Sequence, residues 1–364
     1  MTSYIFRRLL LIVPTLFGIM AINFVIIQAA PGGPVEQMIA KLRGMDVSST
    51  ARVSGQTSEI SNFGKSSRAN QTKRASQGLD PEFLDRINKL YGFDKPMGER
   101  FVMMLKNYAT FDFGDSYFRD RRVIDLVIEK MPVSISLGLW TTLLVYFISI
   151  PLGIAKAVRD GSKFDVASSS VVIIGNAIPG FLFAILLIVV FAGGRYFQWF
   201  PLRGLTSDNF SDLSSLGQIK DYFWHLTLPI GSMVIGGFAG LTMLTKNSYL
   251  EEINKQYVTT AKAKGLSSNR VMYGHIFRNA MLIVIAGFPG AFIGILFTGA
   301  LLTEIIFSLD GLGLLGFEAA IKRDYPVMFG TLYVFTLLGL VMGLVGDLMY
   351  HIIDPRIDFE KVDR

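Results

Sequence analysis

The sequence has little of the chemistry that enzymes use. It contains no cysteine, which excludes a disulfide framework and any thiolate metal site. Its three histidines, His225, His275 and His351, all lie near the ends of apolar runs, where an amphipathic ring is ordinary. No H-E-x-x-H or G-x-S-x-G motif is present, and no spacing suggests a nucleophile paired with a base. The sequence therefore disfavours a hydrolase or a metalloenzyme.

Charged residues are also scarce. They make up 18% of the 364 residues, whereas hydrophobic residues make up 51%, and the mean hydropathy is +0.44. Soluble globular domains carry about 25% charged residues. The composition therefore indicates an integral membrane protein.

Apolar runs long enough to cross a bilayer recur along the chain. A helix needs roughly 20 apolar residues to cross a hydrocarbon core of about 30 Å. Six runs of this kind with few charges predict spans at 9–29, 132–156, 166–192, 226–245, 280–306 and 327–353. The sequence thus predicts an all-α bundle of six transmembrane helices.

Lysine and arginine near the span ends predict the orientation. Six spans put residues 7–8, 156–163, 246–278 and 356–364, which hold most of these basic side chains, on one side. The positive-inside rule makes that side the cytoplasm, with both termini inside. The net charge of +6 is then explained by topology and not by nucleic acid. The first span resembles a signal peptide, but its apolar part exceeds a signal core of about 7 to 15 residues, so we expect a retained anchor.

These spans divide the chain into four predicted regions: the N-terminal region with the first span (1–30), a periplasmic subdomain (31–131), the transmembrane core (132–353) and a cytoplasmic tail (354–364). Within the subdomain, 46–78 is polar and aperiodic, so we expect it to be mobile. Asp80 with Pro81 predicts one helix start, and Pro96 another, whose helix would carry Phe101, Met104 and Leu105 on one face.

Two short matches in the subdomain are not nucleotide sites. Gly64-Lys65-Ser66 lacks the glycine that a phosphate-binding loop needs five positions earlier. Asp112-Phe113-Gly114 lacks the catalytic and glycine-rich loops of a kinase. We therefore expect no nucleotide, cofactor or metal to bind to this chain.

The predicted spans contain features of both packing and movement. Pro179 and Pro289 predict kinks, which suit a bundle that changes shape or one that packs irregularly. Glu304 and Asp347 are costly in lipid but lie near span ends, where interfacial polarity is the simpler explanation. Small-x-x-x-small glycine pairs favour close helix packing at 236 and 240, 290 and 294, and 339 and 343. Candidate pathway or gate residues are Asn176, Phe181, Phe292 and Glu304, with core packing as the alternative.

The segment 246–279, called the coupling segment below, is a basic interruption between apolar runs. Residues 251–264 have helical propensity, Gly265 is a natural helix-ending residue, and Ser267 or Ser268 can cap a second helix. A short amphipathic helix is marginal alone, so it packs on its own bundle, in a partner's groove or on anionic headgroups. Physical reasoning does not decide whether this helix binds a partner protein or the lipid surface.

The sequence of the coupling segment resembles a family signature. YVTTAKAKGL at 257–266, followed by H-x-x-R-N-A at 275–280, is similar to the cytoplasmic EAA loop of ABC importer permeases, in their dipeptide and oligopeptide branch. The family's glutamate and first alanine are replaced by Thr259 and Thr260. Other matching pieces are RRLL at 7–10, PTL at 14–16, APG at 30–32, T-E-x-x-F at 303–307, GLG at 311–313, RDYP at 323–326 and DPRI at 354–357.

This resemblance implies a type I ABC importer permease in the bacterial inner membrane, with an alternating-access pathway for peptides. It further implies a second homologous permease subunit, two ABC ATPase subunits that bind the ATP and Mg, and a periplasmic peptide-binding protein. The ATPase-coupling residues would be Tyr257, Thr260, Ala261, Lys262, Ala263, Lys264, Gly265, Leu266 and Arg270. An ion-coupled secondary transporter and a non-transporting scaffold are the alternatives.

Overall fold

The computed structural model describes residues 2–29, 95–296 and 300–353, and the regular structure in these ranges is helical. The predicted mobile segment 46–78, the helix start at Asp80 and the tail 354–364 lie outside the described residues. The helices, in chain order, are α1 Thr2–Ala29, α2 Met97–Ala109, α3 Val123–Val158, α4 Lys163–Ala177, α5 Gly180–Phe191, α6 Ser215–Ile253, α7 Gln256–Ala263, α8 Ser268–Ala280, α9 Leu282–Gly294, α10 Leu301–Ile306, α11 Leu312–Lys322 and α12 Tyr325–Ile353.

Among the described residues, four helices are individually long and apolar enough to cross a membrane: α1, α3, α6 and α12. Two further candidates are bent pairs, α4 with α5 at 89° and α8 with α9 at 46°, so the number of spans is six if each pair counts as one. The predicted kink at Pro179 is the first bend, because Pro179 lies between the two helices of the α4–α5 pair.

The helices that form the candidate spans differ in extent from the predicted spans. Helix α3 has 36 residues and α6 has 39, so both continue beyond 132–156 and 226–245. The fifth predicted span, 280–306, is shifted: the bent pair begins at Ser268, and α10 is a separate short helix. The helical residues outside the apolar runs include charged side chains, such as Asp125, Glu129 and Lys130 in α3, so a search for runs with few charges excludes them.

The described residues form two compact units. The larger unit comprises 2–9, 130–296, 300–314 and 338–353, and the smaller one comprises 10–29, 95–129 and 315–337. The core of the smaller unit is aromatic: the rings of Phe113 and Tyr333 lie 5.0 and 5.5 Å from that of Tyr108. Helix α2 begins directly after Pro96, as predicted, and its Phe101 contacts Phe17 of α1.

The larger unit is held by close helix contacts. A Cβ atom on Gly153 of α3 would lie 2.6 Å from Cβ of Thr245 in α6, so the two helices can approach only because position 153 is glycine. The glycine pairs suggested by the sequence behave differently. Cβ atoms at Gly236, Gly240 and Gly290 would meet nothing within 4 Å. The small-x-x-x-small spacing therefore does not mark the tight contacts inside this chain.

Candidate functional site

The coupling segment forms a helix, a turn and a second helix in the larger unit. Helix α6 ends at Ile253, and Lys255 has an extended backbone (ψ 149°) that starts α7. The predicted helix over 251–264 is therefore broken in two at Asn254 and Lys255. This break sets the direction in which α7 leaves the end of α6.

Gly265 ends α7 as the sequence predicts. Its φ is +80°, a left-handed conformation that disfavours residues with a Cβ. The N–H of Gly265 donates to the carbonyl of Lys262 at 2.9 Å, and the N–H of Leu266 donates to that of Ala261 at 3.3 Å. This is the double hydrogen bond of a Schellman turn, which satisfies the last carbonyls of a helix.

One face of α7 is buried in its own chain. Val258 and Ala261 belong to a hydrophobic cluster, and Tyr257 and Leu266 pack against it from the outside. Tyr257 and Leu266 thus make apolar contacts within their own chain. That their exposed atoms also anchor a partner stays a prediction. The other buried members of this cluster are Ile154, Ala157, Tyr249, Val271, Ile276, Ala280, Met281 and Val284.

The opposite face of α7 and the turn after it are exposed and basic. The predicted coupling residues on this face are exposed and have small or cationic side chains; they are Thr260, Lys262, Ala263, Lys264, Gly265 and Arg270. Thr259, which replaces a family residue, is exposed beside them. This surface could attract an acidic partner or an anionic headgroup.

Glu252 is a functional candidate that the sequence reasoning missed. Its carboxylate is buried at the last turn of α6, where Oε2 accepts a hydrogen bond from the hydroxyl of Tyr257 at 2.7 Å. Oε1 pairs with the ammonium of Lys255, and the side chain of Asn279 in α8 lies close to the carboxylate. Helical spacing could have identified it in the sequence, because Glu252 lies one turn after Tyr249 and therefore on the same buried face of α6.

An ionic cluster connects α6 to the turn between α3 and α4. Lys246 of α6 lies 2.7 Å from Oδ2 of Asp165 and 2.8 Å from Oδ1 of Asp160. Lys156, whose side chain is 0% exposed, lies 3.0 Å from Oδ1 of Asp165 and donates to the hydroxyl of Ser169 at 2.6 Å. Burying two ammonium groups is tolerable here because carboxylates and hydroxyls surround them.

A cavity of about 490 Å³ lies within the larger unit. Phe181 lines it, but Asn176 and Phe292 do not: Asn176 is exposed, and the Phe292 ring packs at Gly138. The hydroxyls of Thr142 and Ser232 already donate to backbone carbonyls, so the walls are mostly apolar. The lining residues are Thr141, Thr142, Val145, Tyr146, Gly180, Phe181, Ser232, Met233, Gly236, Gly237, Leu241, Ala291, Ile295, Leu302 and Thr303.

Glu304, the fourth pathway candidate, is fully buried and does not line the cavity. Its Oε1 accepts from the hydroxyl of Ser134 at 2.9 Å, and its Oε2 accepts from the N–H of Leu314 at 2.7 Å. Leu314 is in the first turn of α11, so the carboxylate satisfies a backbone donor at a helix N-terminus. The geometry is that of an internal cap, and a gating role stays a prediction.

The described residues thus form an exposed basic helix that rests on a buried carboxylate at the end of a long apolar helix. Known proteins are similar to this chain in sequence. The family described as "Binding-protein-dependent transport system inner membrane component" matches residues 149–359, which is more than half of the chain. The chain belongs to this family. It is therefore an inner membrane component that crosses the bilayer several times, and it works in a transport system that depends on a binding protein.

Individual members of the family cover the whole chain. The peptidoglycan transport system permease protein YejB of Agrobacterium fabrum is 59% identical over 100% of both chains. The inner membrane ABC transporter permease protein YejB of Escherichia coli O157:H7 is 57% identical over 99% of this chain and 100% of its own. The oligopeptide transport system permease protein AppB of Bacillus subtilis is 34% identical over the same shares. These relatives confirm the resemblance to the dipeptide and oligopeptide branch.

Proposed function

We propose that the chain is the membrane permease subunit of an ATP-driven peptide importer. Family membership and relatives named for peptidoglycan and oligopeptide transport support this proposal. The observation that carries it is the geometry of α7, an exposed basic helix fixed by its buried face to the ends of several apolar helices. A partner that moves α7 would move those helices with it.

In this proposal the chain supplies the pathway and other subunits supply the energy. A second homologous permease subunit completes the pathway, a periplasmic binding protein delivers the peptide, and two ATPase subunits on the cytoplasmic side bind ATP and Mg. Association of the ATPases on ATP pulls α7 and turns the pathway outward, and hydrolysis returns it inward. Population shifts of this kind need only a few kcal/mol of difference in binding between the two states.

The exposed face of α7 is proposed to meet the ATPase. Thr260, Ala263 and Gly265 present little side-chain bulk, so another backbone can approach closely. Lys262, Lys264 and Arg270 add positive charge, which steers a partner with acidic side chains more than it adds affinity. Ala261 is on the buried face, and its small side chain lets α7 lie close to the cluster beneath it.

The first test uses the complex and a glycine pair. Gly265→Val forces a β-branched residue into a left-handed conformation, whereas Gly274→Ala changes an exposed helical glycine with open space around it. We expect Gly265→Val to reduce ATP-dependent peptide uptake at least tenfold while the subunits still co-purify, and Gly274→Ala to retain uptake. Normal uptake by Gly265→Val would contradict the role of α7.

The same preparation tests the wider assignment. Mass spectrometry of the gently purified wild-type chain should identify ATPase subunits and a second permease. Liposomes with the purified complex, the binding protein and internal ATP should take up peptide without any ion gradient. Uptake by the lone chain that follows an ion gradient would favour a secondary transporter instead.

A further inference from the structure

The geometry points to Glu252 as the positioning residue that makes α7 and α6 move together. This inference rests on the proposed function, because it concerns how a displacement of α7 reaches a membrane-spanning helix. Glu252 touches neither the exposed basic face nor the cavity, so it would act through other residues.

The break between α6 and α7 is where such a connection is needed. The continuous helix ends at Ile253, and the extended backbone of Lys255 interrupts the helical hydrogen bonds before α7. A break of this kind can flex, because few backbone bonds cross it. The apolar cluster already packs α7 against α6, but apolar contacts are not directional, so α7 can still turn about the break unless a directional bond also crosses it.

The carboxylate of Glu252 bridges the break. It lies on the α6 side and accepts the hydroxyl of Tyr257 on the α7 side at 2.7 Å. Lys255, within the break itself, pairs with the other oxygen. Hydrogen bonds to a charged group are stronger than neutral ones and hold their geometry better.

Asn279 extends the bridge to a third helix. Its side chain lies close to both the carboxylate of Glu252 and the hydroxyl of Tyr257, and it belongs to the last turn of α8. Glu252 and Tyr257 thus hold α6 and α7 together, and Asn279 of α8 approaches the pair from the exposed side. The apolar cluster packs beside the buried carboxylate of Glu252, which strengthens its bond to Tyr257 because little water reaches that carboxylate.

The neighbouring Glu251 provides a matched control. Its side chain is 77% exposed and lies 3.6 Å from Lys255, so it has the same charge and nearly the same position without the buried bridge. If only the negative charge mattered, Glu251→Gln and Glu252→Gln would change peptide transport equally. The bridge predicts an effect at Glu252 only.

The test measures how much peptide is transported per ATP hydrolysed, using the full complex in liposomes with a labelled peptide. Variants are Glu252→Gln, Tyr257→Phe, their double mutant and Glu251→Gln. We expect the ratio to fall about tenfold in each Glu252 or Tyr257 variant, because Tyr257→Phe removes the hydrogen bond and Glu252→Gln removes the charge that strengthens it and pairs with Lys255. The double mutant should be no worse than the poorer single mutant, since both remove one link. Glu251→Gln should match the wild type.

Each outcome decides the inference. A wild-type ratio in Glu252→Gln overturns it, also when that variant has a lower melting temperature, because Glu252 would then only stabilise the fold. Additive losses in the double mutant overturn it too, since the two residues would act separately. Failure of the wild-type complex to import peptide with ATP would instead contradict the proposed function, so the two failures are distinguishable.

Discussion

The hydroxyl of Ser134 lies 2.9 Å from Oε1 of Glu304, although 170 positions separate the two residues in sequence. The same hydroxyl accepts the N–H of Leu312 at 2.8 Å, and Glu304 accepts the N–H of Leu314. One serine and one glutamate thus connect α3 and α10 to the first turn of α11. Both side chains are fully buried, so no water can replace a lost partner without rearrangement.

Replacing Ser134 with alanine should destabilise the larger unit by about 1–3 kcal/mol, the usual cost of leaving a buried donor or acceptor unsatisfied. The melting temperature of the detergent-solubilised chain would report the loss. Ser170→Ala is the control, because that exposed hydroxyl bonds only to the carbonyl of Val166 in its own helix. Equal melting temperatures for the two variants would contradict the cap described for Glu304.

Asp165→Asn should cost about 3–5 kcal/mol, because it leaves the buried ammonium of Lys156 without a compensating carboxylate. Asp160→Asn removes the other partner of Lys246, but this side chain is 53% exposed, so we expect a loss below about 1 kcal/mol. Unfolding in a denaturing detergent, followed by circular dichroism, would measure both. Similar midpoints for the two variants would mean that Lys156 does not depend on Asp165.

Gly153→Ala should separate α3 from α6, because the new methyl group would overlap Thr245. We expect a loss of about 1–3 kcal/mol, typical of overpacked sites. Gly236→Ala is matched to it in residue type and helical setting, yet its Cβ would meet open space. The isolated chain should tolerate it, and a strong effect of Gly236→Ala in the chain alone would contradict the packing described here.

Asp324 should make the smaller unit sensitive to pH. Burial raises the pKa of its carboxyl above the ordinary value, even though Ser116 and Tyr117 hydrogen-bond the charged form. A raised pKa in the folded state means that the stabilising contribution is present below the ordinary value of about 3.9 and is lost as pH rises through the folded pKa. Hydrogen exchange should therefore show residues 112–122 opening more readily as pH rises through that window, after correction for intrinsic exchange.

Asp324→Asn is the control for this pH dependence, since an amide does not titrate. Its opening free energy should stay level across the same window. A wild-type profile that is equally level would show that the carboxyl of Asp324 has an ordinary pKa.

The sequence was informative wherever a feature depends on local chemistry. Gly265 ends α7 because a left-handed residue is needed there, and Pro179 bends the chain because it cannot continue a helix. Sequence reasoning failed where a feature depends on which faces meet. Glu251 and Glu252 look alike in sequence, but only Glu252 faces α7 and α8. For the same reason the glycine spacing at 236 and 240 did not identify the close contact at Gly153.

Helix α6 has 39 residues, so it is about 58 Å long, nearly twice the thickness of a hydrocarbon core of about 30 Å. It is long enough to act as a lever arm. A tilt of about 10° around its midpoint would displace its two ends by about 5 Å in opposite directions. Glu252 and Lys246 lie near one end of this helix, so a displacement of that end would be accompanied by an opposite displacement of similar size at the other end.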